Sequence, residues 1–131
     1  MKLLLVLCLQ FSLLSSSVQD KPVALTPAEF KEMTSKEKGR VIDVRTPEEF
    51  QAGHLKKAQN VDWRGGKFQE EFQNWDKNQT YYLYCATGNR SSQALKMMQE
   101  AGFKNVYNVG GYKDLKAAGL KTSKKNLLPF L

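Results

Sequence analysis

The chain has 131 residues, of which 41% are hydrophobic, and it carries a formal net charge of +7. This length suits one globular domain with its own core and is too short for two domains. The basic residues are dispersed among acidic ones and form no arginine stripe with stacking aromatic rings, which argues against nucleic acid as a partner. One histidine and two cysteines do not supply the usual ligands of a metal site, so neither a metal nor another cofactor is predicted.

The first segment, MKLLLVLCLQFSLLSSSVQD, has one lysine, an apolar run over residues 3–14 and then small residues. This order is typical of a secretory signal peptide, and the run is shorter than the roughly 20 residues that span a bilayer. A buried first helix fits less well, because almost no polar residue interrupts the run. We expect a signal peptide over residues 1–17, cleaved after Ser17 or Ser16, and a single mature domain over residues 18–131. The sequence therefore predicts a periplasmic or secreted monomer that is not attached to a membrane after signal removal.

Short apolar segments alternate with helical patterns along the rest of the chain. Strands are predicted over PVAL (22–25), GRVIDV (39–44), AQNVD (58–62), TYYLYC (80–85) and NVYNV (105–109). Helices are predicted over TPAEFKEM (26–33), TPEEFQAG (46–53), residues 67–75, SSQALKMMQEAG (91–102) and GGYKDLKAAG (110–119). Thr26 and Thr46 have the spacing of N-caps, each followed by proline at the first helical position and glutamate at the third. The alternation predicts an α/β fold, a five-stranded parallel sheet flanked by helices on both faces.

Cys85 is the only cysteine left once Cys8 departs with the signal peptide. It ends a predicted parallel strand, where ligands bind in open α/β sheets. Small or turn-forming residues follow it, so backbone N–H groups can turn inward and form a nest for an anion. Arg90 and the N-terminus of a helix that begins at about Ser91 add positive charge. These features predict a nucleophilic cysteine with a lowered pKa, although a buried inert thiol remains the alternative.

The segments VIDVRTPEEFQAGHLKKAQNVD and YLYCATGNRSSQALKMMQEAGFKNVYNVGGYKDLKAAGL closely resemble a single-domain rhodanese, a thiosulfate sulfurtransferase-like domain. The resemblance covers roughly residues 23–120 and is carried by Asp43-Val44-Arg45, Glu49-Phe50, Gly53-His54-Leu55, Cys85 to Ser91 and Gly110-Gly111. It implies the same five-stranded parallel fold. It also implies that Cys85 is catalytic and carries sulfur as a persulfide. The backbone that would bind this sulfur is that of Ala86, Thr87, Gly88, Asn89 and Arg90.

Two residues depart from the family pattern: Lys57 stands where glycine is common, and Leu115 where tryptophan is common. We interpret both as packing changes away from the cysteine loop. Within the loop, four residues separate Cys85 from Arg90, whereas phosphatases of similar design have five. The shorter loop favours a nest for one sulfur atom over phosphatase or arsenate reductase chemistry.

Other polar and aromatic residues are assigned structural roles. His54 is expected to have a hydrogen-bonded packing role. Asp43 and Arg45 are expected to form a buried polar pair in which Glu49 could take part. The two tryptophans are expected in the core or at its rim, and Trp63 could also line the mouth of the active site.

The sequence therefore predicts a sulfurtransferase that moves sulfane sulfur from thiosulfate or a related small anionic donor to cyanide, a thiol or a protein acceptor. The alternative is a non-catalytic rhodanese-like module that binds a partner or senses thiol oxidation.

Overall fold

The computed structural model describes residues 23–124. The predicted signal peptide over residues 1–17 lies outside this range, as do the final apolar residues of the tail, which the sequence suggests pack back onto the domain. The helices are α1 (Pro27–Lys36), α2 (Pro47–Ala52), α3 (Lys67–Glu71), α4 (Asn89–Glu100) and α5 (Tyr112–Ala117), with a 3₁₀ turn at Phe72–Asn74. The strands are β1 (Arg40–Asp43), β2 (His54–Leu55), β3 (Gln59–Asn60), β4 (Thr80–Cys85), β5 (Asn105–Gly111) and β6 (Thr122–Ser123).

Four of the strands form a parallel sheet in the order β3-β1-β4-β5. The predicted parallel α/β architecture is thus confirmed, but the fifth strand is reduced to one parallel bridge between Ala24 and Asn108. Leu25 N–H donates to Asn108 O at 2.9 Å, and Asn108 N–H donates to Val23 O at 2.7 Å. The segment is short because Thr26 already caps α1. A second, antiparallel sheet of β2 and β6 was not predicted.

The two Thr-Pro-x-Glu segments form the predicted capping boxes. Thr26 N–H donates to Glu29 Oε2 at 2.7 Å, and Glu29 N–H donates back to Thr26 Oγ1 at 3.2 Å. The corresponding distances between Thr46 and Glu49 are 2.9 and 3.3 Å. Each box satisfies two backbone N–H groups that a helix start would otherwise leave unpaired.

Other helix boundaries differ from the sequence prediction. The helix expected over residues 67–75 becomes α3 followed by the 3₁₀ turn. Helix α4 begins at Asn89, two residues before the predicted start, so Arg90 lies in its first turn. Its predicted end is confirmed, since Gly102 adopts a left-handed conformation with φ of 93°.

The side chains of β4 alternate between two apolar layers, as the period of a strand requires. Tyr81, Leu83 and Cys85 lie in the layer with α3 and α4. Tyr82 and Tyr84 lie in the layer with α1 and α5. Helices therefore cover both faces of the sheet, and the cysteine faces the α4 side. No helix within residues 23–124 is long and apolar enough to cross a membrane.

The two departures from the family pattern have different structural consequences. Leu115 is fully buried in the layer beside α5, so its interpretation as a packing change is confirmed. The same interpretation is wrong for Lys57, which is exposed and has φ of 70°. A residue with a β-carbon is unfavourable in this left-handed region. The replacement of glycine by Lys57 therefore strains the backbone and does not change the packing.

Candidate functional site

Cys85 is the last residue of β4, and residues 86–88 turn the chain directly into α4. Its side chain is 0% exposed, while Thr87 and Asn89 in the loop above it are exposed. Gly88 has φ of 94°, a left-handed conformation that lets the loop reverse within three residues. The structure therefore brings together the loop residues that the sequence selected, at the carboxyl edge of the sheet.

The cysteine sulfur accepts hydrogen bonds from the loop and from the start of α4. Gly88 N–H lies 3.0 Å from Sγ, and Ser91 Oγ lies 3.5 Å from it. Burial raises the pKa of the Cys85 thiol, but hydrogen bonds from the Ser91 hydroxyl and from the N–H groups of Ser91, Thr87 and Gly88 outweigh it. The net pKa of Cys85 is lowered, which favours the nucleophilic thiolate.

The double glycine of β5 lets this loop pack against the strand. A β-carbon added at Gly111 would lie 2.6 Å from Ala86 O and 3.2 Å from Thr87 Cα, which no real structure tolerates without movement. The backbone of β5 thus contacts the backbone of the loop with no side chain between them. This contact gives a physical reason for the Gly110-Gly111 motif.

Asn108 is a residue of the site that the sequence reasoning missed. Its Nδ2 donates to Gly88 O at 3.1 Å, and its Oδ1 accepts from Gly110 N–H at 3.1 Å. The same Oδ1 also accepts from Ser91 Oγ at 2.8 Å. One amide therefore joins the loop, α4 and the double glycine. The sequence did contain a signal that could have identified it. Asparagine is depleted in strands, yet Asn108 lies inside a predicted strand, two residues before the double glycine.

The Arg90 side chain points to Glu49 in α2. Its Nη1 and Nη2 donate to the two carboxylate oxygens at 2.8 and 2.9 Å, and the arginine side chain is only 11% exposed. The hydrogen bond to Arg90 is the main reason that the pKa of Glu49 falls to about 2. The same bond raises the pKa of Arg90. This bidentate pair joins the first turns of α2 and α4, two helices that start at the same edge of the sheet.

Asp43 and Arg45 form the predicted buried pair, with Arg45 Nη2 and Asp43 Oδ2 2.7 Å apart. Arg45 Nη2 also donates to Gly53 O at 2.6 Å, which ties the end of β1 to the residue before β2. Glu49, which the sequence suggested could take part, hydrogen-bonds Arg90 with both carboxylate oxygens and reaches Arg45 only through its charge, which helps to raise the pKa of Arg45.

His54 has the predicted packing role. Its ring stacks on that of Phe50 at a centroid distance of 3.7 Å, and its Nδ1 donates to Phe50 O at 2.7 Å. Its Nε2 lies 3.0 Å from Ser123 Oγ, next to the pairing of β2 with β6.

The tryptophans lie at the rim of the α4-side layer, as predicted. Trp63 packs against Phe68 at a centroid distance of 5.6 Å, and Trp75 stacks on Tyr81 at 5.3 Å. Among residues 23–124, no three His, Cys, Asp or Glu side chains cluster in a way that would hold a metal ion.

A family model described as the rhodanese-like domain matches residues 26–118. The chain belongs to this family. Thiosulfate sulfurtransferase PspE of Escherichia coli is 39% identical over 74 residues, which cover 56% of this chain and 71% of PspE. Thiosulfate sulfurtransferase GlpE of Pseudomonas putida is 31% identical over 87 residues, 66% of this chain and 77% of GlpE.

Solved structures agree with this assignment. A rhodanese from E. coli, solved with anions, is 34% identical with a TM-score of 0.58 and covers 66% of this chain and 98% of its own. The rhodanese-like domain of an Anabaena protein reaches a TM-score of 0.70 over 83% of this chain and 86% of its own. At 22% identity the Anabaena domain supports the fold alone. The chain is also similar to part of a protein with another name: a tRNA uridine(34) hydroxylase of Cytophaga hutchinsonii is 34% identical, but the match covers only 29% of its length.

Proposed function

We propose that this rhodanese-like protein is a sulfurtransferase that moves sulfane sulfur from thiosulfate or a related anion to cyanide or a thiol through a persulfide on Cys85. The observation that carries the proposal is the Cys85 sulfur, whose pKa is lowered by the hydrogen bonds from Ser91, Thr87 and Gly88. The family assignment and the sulfurtransferases among its relatives support it.

The first half-reaction is an attack of the Cys85 thiolate on the outer sulfur of thiosulfate. A bond forms between Sγ and that sulfur, and the bond between the two sulfurs of thiosulfate breaks. Its electron pair leaves with sulfite, and the negative charge of the enzyme now lies on the outer persulfide sulfur. The loop N–H groups are fixed before the reaction, so they stabilise this charge without reorganising.

The second half-reaction returns the enzyme to its thiolate. Cyanide or an acceptor thiolate attacks the outer sulfur and takes it, as thiocyanate or as a new persulfide, while the electron pair of the broken S–S bond returns to Sγ. No general base is needed in either step, because the nucleophile is already ionised.

Arg90 has a positioning role in this proposal. Its guanidinium is bound by Glu49, so the positive charge that the sequence analysis placed beside the cysteine loop is largely compensated. The donor anion is held instead by the backbone of Ala86 to Arg90 and by the N-terminus of α4. Arg90 and Glu49 keep that helix start in place.

We further propose that the domain over residues 18–131 is exported and works as a monomer in the periplasm or outside the cell. The signal-like pattern of residues 1–17 supports export. The N-terminal residue of protein purified from an exporting host tests this, and a retained leader in the exported fraction would contradict it.

The direct test of function is the intact mass of the protein after incubation with thiosulfate. We expect a gain of one sulfur atom that cyanide removes with formation of thiocyanate. Cys85→Ser should show neither, because a hydroxyl forms no persulfide, and sulfate in place of thiosulfate is the control for simple anion binding. Absence of the adduct with several sulfane donors would favour the non-catalytic binding or redox-sensing module instead.

A further inference from the structure

A cleft with a volume of about 790 Å³ opens at the end of the sheet opposite to Cys85. It is lined by Gly39 and Arg40 at the amino end of β1, whereas Cys85 is at the carboxyl end of the parallel strand β4. None of residues 85–91 lines it. The cleft is therefore separate from the sulfur site, and its volume lies in the range of small-molecule pockets.

The rim of the cleft is basic. Five exposed lysines from three parts of the chain line it: Lys31, Lys38, Lys56, Lys57 and Lys121. No acidic residue is among the described residues that line it, and the ion pairs within residues 23–124 involve other cations. Several like charges around a concave surface focus a positive potential into it.

The apolar residues that line the cleft are less exposed than its lysines, and we call them its floor. They are Phe30 and Leu55, which are buried, and Val41 and Leu120, which are half-buried. Apolar surface in a concave site favours a ligand with an apolar body, because binding removes both surfaces from water. Lysine ammonium groups on flexible stems can adjust to an anionic group at the opening of the cleft.

We propose that this cleft binds a small amphipathic organic anion, a free carboxylate or sulfonate with an alkyl body, independently of sulfur transfer. The apolar part occupies the floor and the anionic group contacts the lysine rim. A nucleic acid fits this surface less well, because the one aromatic residue among the lining residues, Phe30, is buried and offers no platform on which a base could stack. A membrane surface fits less well because none of the apolar lining residues is exposed: Phe30 and Leu55 are buried, and Val41 and Leu120 are half-buried.

The first experiment is a calorimetric titration of the purified protein with decanoate and, separately, with decyltrimethylammonium, which has an alkyl chain of the same length and the opposite charge. We expect saturable binding of decanoate only. Amide shifts in an NMR titration should concentrate at Thr34, Gly39 and Gly119, which line the cleft. Equal binding of both amphiphiles, no binding of either, or shifts confined to the Cys85 loop would overturn the proposal.

Variants distinguish binding of decanoate in the cleft from non-specific attraction of an anion to the basic protein. Lys31→Glu with Lys56→Glu should weaken decanoate binding by roughly tenfold or more, because two attractive charges become repulsive. The matched control is Lys96→Glu with Lys104→Glu, which changes the net charge equally at exposed positions outside the cleft. Thr34→Trp, at an exposed position of α1, should abolish binding by filling the cavity. An equal loss in the control pair, or full binding by Thr34→Trp, would place the ligand elsewhere and overturn the proposal.

Discussion

Ser91 Oγ lies 2.8 Å from Asn108 Oδ1, so the hydroxyl that faces the Cys85 sulfur is shared with a neighbouring amide. Its distance to Cys85 Sγ is longer, 3.5 Å. A hydroxyl has one proton to donate, so Asn108 and the sulfur compete for it. An anionic sulfur is the stronger acceptor, and the Ser91 hydroxyl can turn to it as the thiolate forms.

Ser91→Ala should therefore raise the pKa of Cys85, because it removes the first of the hydrogen bonds that lower it. We expect the pH profile of Cys85 alkylation to move to higher pH. Sulfur transfer at neutral pH should fall about tenfold, since a hydrogen bond to a charged group contributes about 1.5 kcal/mol or more. Ser91→Thr keeps the hydroxyl and should restore the profile, and an unchanged profile in Ser91→Ala would rule out this role.

Gly111→Ala should reduce sulfur transfer through the loop. The added methyl would meet Ala86 O at 2.6 Å, so the loop must move and its N–H groups lose their alignment with the sulfur. We expect a fall of roughly a hundredfold in the rate, the lower end of what the loss of one oxyanion-hole donor costs.

Gly119→Ala is the matched control for that change. Gly119 has φ of 87° and no atom within 4 Å of an added β-carbon, so alanine there strains the backbone without touching the loop. It should lower stability and leave the activity of the folded protein intact. Equal activity of the Gly111 variant and the wild type would show that the loop tolerates displacement.

The Glu49 carboxylate should make stability depend on pH. Its hydrogen bond to Arg90 holds its pKa at about 2 in the folded protein, below the ordinary value of 4.5. The stabilisation that the ionised Glu49 gives to the folded state is therefore complete above about pH 4.5 and is lost as the pH falls through about 2. Glu49→Gln should reduce the free energy of unfolding by about 1–2 kcal/mol at pH 7, a value discounted for partial exposure, and by less in acid.

Denaturant unfolding at several pH values measures this difference. Glu48→Gln is the control, because Glu48 lies in the same helical turn but is exposed. A loss in Glu49→Gln that stays constant from neutral to strongly acid pH would mean that the ion pair with Arg90 is not its cause.

Lys57→Gly should stabilise the protein. The left-handed conformation of a non-glycine residue such as Lys57 destabilises the folded protein by about 1–2 kcal/mol, and glycine would remove this strain. Glycine also makes the unfolded chain more flexible, which offsets part of the stabilisation. We expect a net increase of about 0.5–1 kcal/mol, measured by denaturant unfolding. Lys56→Gly, next to it without a positive φ, should destabilise, and stabilisation by both changes would point to charge removal instead.

Apart from the parallel α/β architecture, the parts of the structure that the sequence predicted in detail are local ones. The capping boxes at Thr26 and Thr46 depend on three-residue spacings, and the position of Cys85 depends on one strand followed by one turn. Such features need no knowledge of what packs against them.

The missed features depend on residues far apart in the chain. Arg90 and Glu49 are 41 residues apart, and Asn108 is 20 residues from the Gly88 carbonyl that it binds. The pairing of β2 with β6 involves two residues on each strand, which is too short for an alternating hydrophobic pattern to be recognised in the sequence. Only the fold brings these groups together.

The close backbone contact between β5 and the loop has a consequence for how selectivity can evolve. The groups that hold the sulfur are N–H groups and the Ser91 hydroxyl, while the Thr87 and Asn89 side chains are exposed above them. These two positions can change in size and polarity with little effect on the thiolate. For the proposed sulfur transfer, they are therefore the places where engineering can alter the choice of donor or acceptor while Cys85 and its hydrogen bonds are left intact.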